Sequence, residues 1–165
     1  MAQRRRDYTA YLIESAWVLP SIAIPIAMVV ALLLTTTLGK LQLPGGAERI
    51  DPTKVATTAP FDHPGLRQLG PNHYELDMVA QTWNWTPKDV QIPLGATVDI
   101  VATSKDVTHG LYVENTLINM MVVPGYIVRA THQFTQPGTY LFLCHEYCGL
   151  GHQTMSGQIV VEGAK

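Results

Sequence analysis

Charge is scarce in this chain. Only 15% of its 165 residues are Asp, Glu, Lys or Arg, and mean hydropathy is +0.10. That balance is unusual for a fully soluble protein and points to a membrane segment. Positive charge is scarcest where a nucleic-acid ligand would need it. Residues 41–165 carry seven basic against eleven acidic side chains, a net of −4, the wrong sign for binding phosphate backbones. There are no long charge runs and no internal repeats. The length allows one ordinary domain plus a tail or anchor, and no second large catalytic domain. Cysteine is nearly absent: both copies lie within one short stretch, at 144 and 148.

One segment lacks charge altogether. Ala16 to Leu38 runs 23 residues without a charged side chain. As a helix this covers roughly 30 Å or a little more, enough to cross a bilayer core. Pro20 and Pro25 would kink it, which membrane helices tolerate, and Trp17 suits an interface. A cleaved signal peptide competes with this reading. Its apolar core would be shorter, about 7–15 residues, and Thr35-Thr36-Thr37-Leu38-Gly39-Lys40 is a poor cleavage site. The expected organisation is a tail over 1–15, a transmembrane helix over 16–38, a linker over 39–71 and a β domain over 72–165. The linker reading rests on Pro44-Gly45-Gly46, Pro52, Pro60 and Pro64-Gly65. The Arg4-Arg5-Arg6 triplet puts the N-terminus in the cytoplasm. The rest of the single-pass chain then lies outside a bacterial or archaeal plasma membrane, in the periplasm or its equivalent.

No part of residues 72–165 has a convincing helical period. Short alternating runs take its place: Leu76, Met78 and Ala80, then Val98, Ile100 and Ala102 against Thr97, Asp99, Val101 and Thr103. Turn signals at Pro93-Leu94-Gly95, Pro124-Gly125 and Pro137-Gly138 separate them. This pattern predicts an all-β sandwich or Greek-key barrel.

The stretch Cys144-His145-Glu146-Tyr147-Cys148-Gly149-Leu150-Gly151-His152-Gln153-Thr154-Met155 falls between two predicted strands. Thiolate, imidazole and thioether form a soft ligand set that suits copper. Glycines at 149 and 151 let a short loop turn tightly. Zinc would accept two cysteines and two histidines but has no use for Met155. A Cys144–Cys148 disulfide is the other reading, open to an exported domain. The best distant ligand is His109, where a strand begins after a polar turn. His63, His73, His132 and His145 read as lying outside the ligand shell.

Cys-x-Glu-x-Cys-Gly-x-x-His-x-x-Met with an upstream Asp-Val-x-His resembles the copper A domain of cytochrome c oxidase subunit II, over roughly Asn72 to Gly163. The single anchor and Cys148-Gly149-Leu150-Gly151-His152-Gln153 resemble the shorter, ba3-type form. The resemblance implies a cupredoxin-like fold and a dinuclear copper centre. Cys144 and Cys148 would bridge the metals, and His109 and His152 would each bind one. Met155 and the backbone carbonyl of Glu146 would be weak axial ligands. The Glu146 side chain would also allow a magnesium ion at the boundary with subunit I. Where the mitochondrial type carries an acidic residue before the Pro-Gly turn, this chain has Met120-Met121-Val122-Val123.

The resemblance further implies that electrons arrive through a tryptophan. Trp83 is the better match and Trp85 the second, both expected on one strand face. Donors would be cytochrome c or a small copper protein. Partners would be the haem-bearing subunit I, where oxygen is reduced to water, and small accessory subunits. A nitrous-oxide reductase needs a larger chain, a quinol oxidase subunit would lack the cysteines, and a copper store would hold a single exchangeable ion.

Overall fold

The computed structural model describes residues 2–38 and 48–163, with side chains described from residue 8. It falls into two units, an N-terminal helix and a β domain.

Helix α1 spans Ala2–Leu38 and includes Pro20 and Pro25. Its segment Tyr8–Leu38 is long and apolar enough to cross a membrane, with Glu14 as its one charged side chain. Helical structure begins well before residue 16. Residues 2–15 hold no glycine or proline and are rich in good helix formers, so nothing stops the helix from extending through the expected tail. The hydroxyls of Ser15, Ser21, Thr36 and Thr37 donate to carbonyls three or four residues back. An apolar surround would offer these groups no other partner.

The β domain is a two-sheet sandwich. Its strands are β1 (Glu48–Arg49), β2 (Gly65–Gly70), β3 (His73–Gln81), β4 (Asn84–Thr86), β5 (Asp89–Pro93), β6 (Thr97–Ser104), β7 (His109–Val113), β8 (Asn119–Val122), β9 (Tyr126–Gln133), β10 (Gly138–Cys144) and β11 (Ser156–Glu162). One sheet runs β1-β9-β6-β3-β2, with β4 paired to β3, and the other runs β5-β11-β10-β7-β8. β3 pairs β6, and β5 pairs β11, in parallel; the other ladders are antiparallel. The alternation read in the sequence is what packs the sheets: Leu76, Met78, Val98, Ile100, Leu111, Phe142 and Ile159 point into one core. Trp85 and Phe134 fill its bulk and are almost fully buried.

The expected linker is largely part of the domain. β1 and β2 are strands of the first sheet. Between them, Pro52–Thr57 forms a 3₁₀ helix capped by Asp51, whose carboxylate accepts from the Thr53 N–H. Val55 and Phe61 pack there with Ile50 against Val79 and Val101, forming a second small core on the outer face of the sheet. The prolines that break regular elements also fit a compact strap, and a composition of turn residues does not distinguish the two. Expected residues 39–47 of the linker lie outside the described residues.

This moves the domain boundary. A fragment starting at Asn72 should be destabilised relative to one starting at Pro44. Losing the burial of Val55 and Phe61 alone removes up to about 3–6 kcal/mol, and Val79 and Val101 would face water. Thermal unfolding of the two fragments checks this; equal midpoints would contradict it.

Candidate metal centre

The ligand loop leaves the second sheet after β10 and returns to it at β11. Its base is pinned by a backbone bond in which Cys144 N–H donates to the Met155 carbonyl at 2.9 Å. The next residue, His145, donates its N–H to Gly110 O on β7 at 3.0 Å. Within the loop, residues 152–154 form a single 3₁₀ turn that brings His152 and Met155 back over Cys148.

The loop and β7 together converge a set of soft donors. Cys144 Sγ lies 3.8 Å from Cys148 Sγ and 3.8 Å from His109 Nδ1. Cys148 Sγ lies 3.6 Å from His152 Nδ1 and 3.7 Å from Met155 Sδ. The carbonyl of Glu146 stands 3.2 Å from Cys144 Sγ. The two cysteines are free thiols, not a disulfide. The arrangement has two halves: His109, Cys144 and the Glu146 carbonyl on one side, His152, Cys148 and Met155 on the other. His109, Cys144, Cys148 and Met155 are buried, and among the described residues His109, Cys144 and Cys148 form the one group of His, Cys, Asp and Glu side chains close enough to hold a metal ion.

Asp106 orients the distant ligand. His109 Nε2–H donates to Asp106 Oδ1 at 2.9 Å, which leaves Nδ1 as the free donor facing the sulfurs. Burial alone would raise the Asp106 carboxyl. The hydrogen bonds from His109, from the backbone N–H groups of Thr82 and Val107, and from the Thr82 side chain outweigh it and hold the group at about 2. Asp106 therefore stays ionised and keeps the imidazole in one tautomer. At Cys148, burial, then the hydrogen bond and charge of Cys144, push the thiol up to about 11, against the opposing pull of the Trp83 backbone N–H. The unmetallated site thus holds its proton there, and a metal must displace it.

Trp83 and Trp85 do not share a face. The β3–β4 hairpin turns through Thr82 and Trp83, so Trp83 leaves the strand while Trp85 on β4 points into the core. Trp85 is 1% exposed and lies tilted against His109, with ring centroids 6.1 Å apart; Trp83 is 46% exposed. Trp85 therefore packs in the core beside His109 and offers a donor no exposed surface, whereas Trp83 does. Trp83 has φ 66°, a left-handed conformation unusual for a bulky side chain. Such outliers persist where surroundings hold them and cluster at functional sites. Here the Thr82 N–H donates to Asp106 Oδ2 at 2.6 Å, next to the Trp83–Cys148 contact.

The Trp83 ring lies on the ligand loop itself. A Cβ added at Gly151 would come within 2.6 Å of its ring, and one at Gly149 within 3.2 Å of its Nε1. Gly149, at φ 114°, is a glycine required by the turn, whereas Gly151, at φ −94°, is required by the room it leaves for Trp83. Gly151→Ala, which strains no backbone, should therefore shift the Trp83 ring and its fluorescence while leaving the ligand set intact. Unchanged Trp83 emission would contradict the contact.

The remaining histidines lie outside the cluster. His145 is exposed, its ring seated where a Gly110 Cβ would overlap it. His63 is exposed beside Asp62, and His73 pairs with Asp99 at 2.8 Å. His132 is half-buried, edge-on to Phe134 with 4.7 Å between ring centroids, and burial lowers its pKa. The role of Asp106 as the hydrogen-bond partner of His109, and the glycine seat of Trp83, were not read from the sequence. The Asp-x-x-His spacing was the available signal for the first; the second is a contact between distant segments with no local signature.

A family model described as the periplasmic domain of cytochrome c oxidase subunit II matches residues 74–164. The chain is 39% identical over 154 residues to a cytochrome c oxidase subunit 2 of Thermus thermophilus, covering 90% of this chain and 91% of that one. A second Thermus thermophilus sequence of that description is 41% identical over 79% of this chain and 97% of its own length. A chain of a haem-copper terminal oxidase dimer, solved by cryo-electron microscopy, superposes with TM-score 0.77 at 29% identity, over 91% of this chain and 99% of that one. The periplasmic domain of subunit II from Bradyrhizobium japonicum, 16% identical, superposes with TM-score 0.50 over 54% of this chain and 83% of that one, showing the shared cupredoxin fold. The chain is a copper-binding, electron-transfer subunit of a haem-copper oxidase, anchored by one apolar helix, and it belongs to the cytochrome c oxidase subunit II family in its ba3-type form.

Proposed function

We propose that the cluster is a dinuclear copper A centre, with Cys144 and Cys148 bridging the metals. In this reading His109 and His152 each hold one copper, with Met155 and the Glu146 carbonyl as weak axial ligands. The observation that carries it is the two-halved arrangement around a Cys144–Cys148 sulfur pair 3.8 Å apart. Copper bound there would supply a one-electron couple spread over two thiolate-bridged ions, with little change of geometry between oxidation states.

The protein's own part is to hold the donors fixed. Asp106 keeps His109 turned inward, and the Met155–Cys144 backbone bond keeps the loop closed. Burial of both cysteines excludes water and competing oxidants from the sulfurs. Trp83, exposed and in contact with the loop, is the port through which a donor, cytochrome c or a small copper protein, delivers electrons. From the centre they pass to haem in subunit I. The Arg4–Arg6 triplet supports a cytoplasmic N-terminus and a copper domain on the outer side of the membrane. Glu146 offers one carboxylate, so magnesium at its side chain would need further oxygen ligands from the partner subunit.

Isolating the full chain from its native membrane tests this reading. Co-isolation with a haem-bearing subunit, and two coppers per chain reducible by the donor, is the expected result. A chain free of haem that carries one exchangeable copper would be a store and would contradict it.

A further inference from the structure

Asp77 lies on the outer face of β3, away from the copper ligands. Its side chain is only 3% exposed, its Oδ1 has no hydrogen-bond partner, and its Oδ2 is 3.7 Å from Arg67 Nη2. Arg67 is bound more closely to Glu75. In register, Asp77 faces Gly65 on β2 and Val101 on β6, neither of which offers a polar side chain. The lid over this face is the strap that packs Val55 and Phe61 against Val79 and Val101. Where the strap meets β2, a cavity of about 420 Å³ is lined by Pro60, Asp62, His63, Arg67 and Asp77, among others.

The charged groups around it are few and can be named. Arg67 comes from β2, Glu75 from β3 itself, and Arg129 from β9, where it bridges Glu75 and Glu48 of β1. The strap brings Asp62 and His63, which pair with each other, and Asp51 and Lys54, which do the same. Asp99 of β6 is occupied by His73 and Thr131. None of them donates to Oδ1.

We propose that residues 48–64 form a proton-controlled latch over this face of the sheet, shut when Asp77 is neutral and loosened when it is ionised. A buried carboxylate oxygen without a donor is costly in its charged form. Opening the strap gives it water. Burial, then the like charge of Glu75, push Asp77 up to about 6, against the pull of Arg67 and Arg129. A group raised in the closed state stabilises that state fully at low pH, and the stabilisation is lost as pH rises through the raised value. With 3.8 as the value in the open state and about 6 in the closed state, opening becomes about tenfold easier between pH 5 and pH 8.

Hydrogen exchange of the full chain in detergent, corrected for the intrinsic pH dependence of exchange, reads this directly. Protection of residues 52–64 should fall about tenfold from pH 5 to pH 8, while β6 in the same molecule stays unchanged. Asp77→Asn and Asp77→Leu should each give a pH-independent strap. Wild-type protection that does not change with pH would overturn the proposal. So would the same pH dependence surviving in either variant, which would assign it to His63 or another group.

Discussion

Cys148→Ser should abolish the two-copper state of the proposed centre, whereas Met155→Leu should keep two coppers and shift the potential. The ranking follows from where each atom sits. Cys148 Sγ is the hub of the cluster: it is within 3.8 Å of Cys144 Sγ, His152 Nδ1 and Met155 Sδ. Serine would put a hard, poorly ionised hydroxyl at that hub, which cannot bridge two coppers. Met155 contacts the cluster from one side only, as a thioether, the weak axial ligand of such sites. Its side chain is 2% exposed, so leucine, close in volume, should preserve the packing. Absorption and electron-spin spectra of the two variants, with copper content per chain, check the order. Loss of all copper in Met155→Leu with an intact two-copper signal in Cys148→Ser would invert the ligand assignment.

If Trp83 is the proposed port, Trp83→Ala should slow reduction by the donor strongly and leave the copper spectrum unchanged. Truncating a central tryptophan at a docking surface typically costs about 2 kcal/mol or more, roughly thirtyfold in affinity. Here the exposed ring also packs against the ligand loop at Gly149 and Gly151. The influence of Trp83 on Cys148 comes through its backbone N–H, which alanine retains. Stability should suffer little, because the side chain is 46% exposed and its removal opens no core cavity. Salt dependence of the encounter should be shallow, since the domain's charge is modest and dispersed. Stopped-flow reduction and the spectrum of the same variant separate the roles. A normal rate of electron uptake with an intact fold would reject Trp83 as the port, and a disturbed spectrum would make it structural.

The sequence made the sandwich and the metal loop legible for one reason: both are local patterns. Alternation at Leu76, Met78 and Ala80, or at Val98, Ile100 and Ala102, reports directly which side of a strand is buried. The donors at 144, 148, 152 and 155 sit in one loop whose spacing survives folding. The strap failed for the opposite reason. Val55 and Phe61 are isolated apolar residues among turn formers, and their partners Val79 and Val101 lie on strands that already have an inward face. Val101 reads as the exposed side of β6, yet it is fully buried because the sheet is covered on both sides there. Trp83 and Trp85 show a further limit. Their spacing promised one face, but a two-residue turn falls between β3 and β4, and Trp83 belongs to the turn. The Asp106–His109 bond is local, at i,i+3, and its spacing is in the sequence, but the seating of Trp83 on Gly151 is a tertiary contact with no periodic trace.

The centre proposed for this chain is two thiolates shared by two metals. Its most direct test is the electron-spin spectrum of the copper-loaded β domain, residues 44–165, taken with its copper content. Two coppers per chain and one unpaired electron coupled equally to both nuclei is the predicted result. One copper per chain, or a spin confined to a single nucleus, would contradict it.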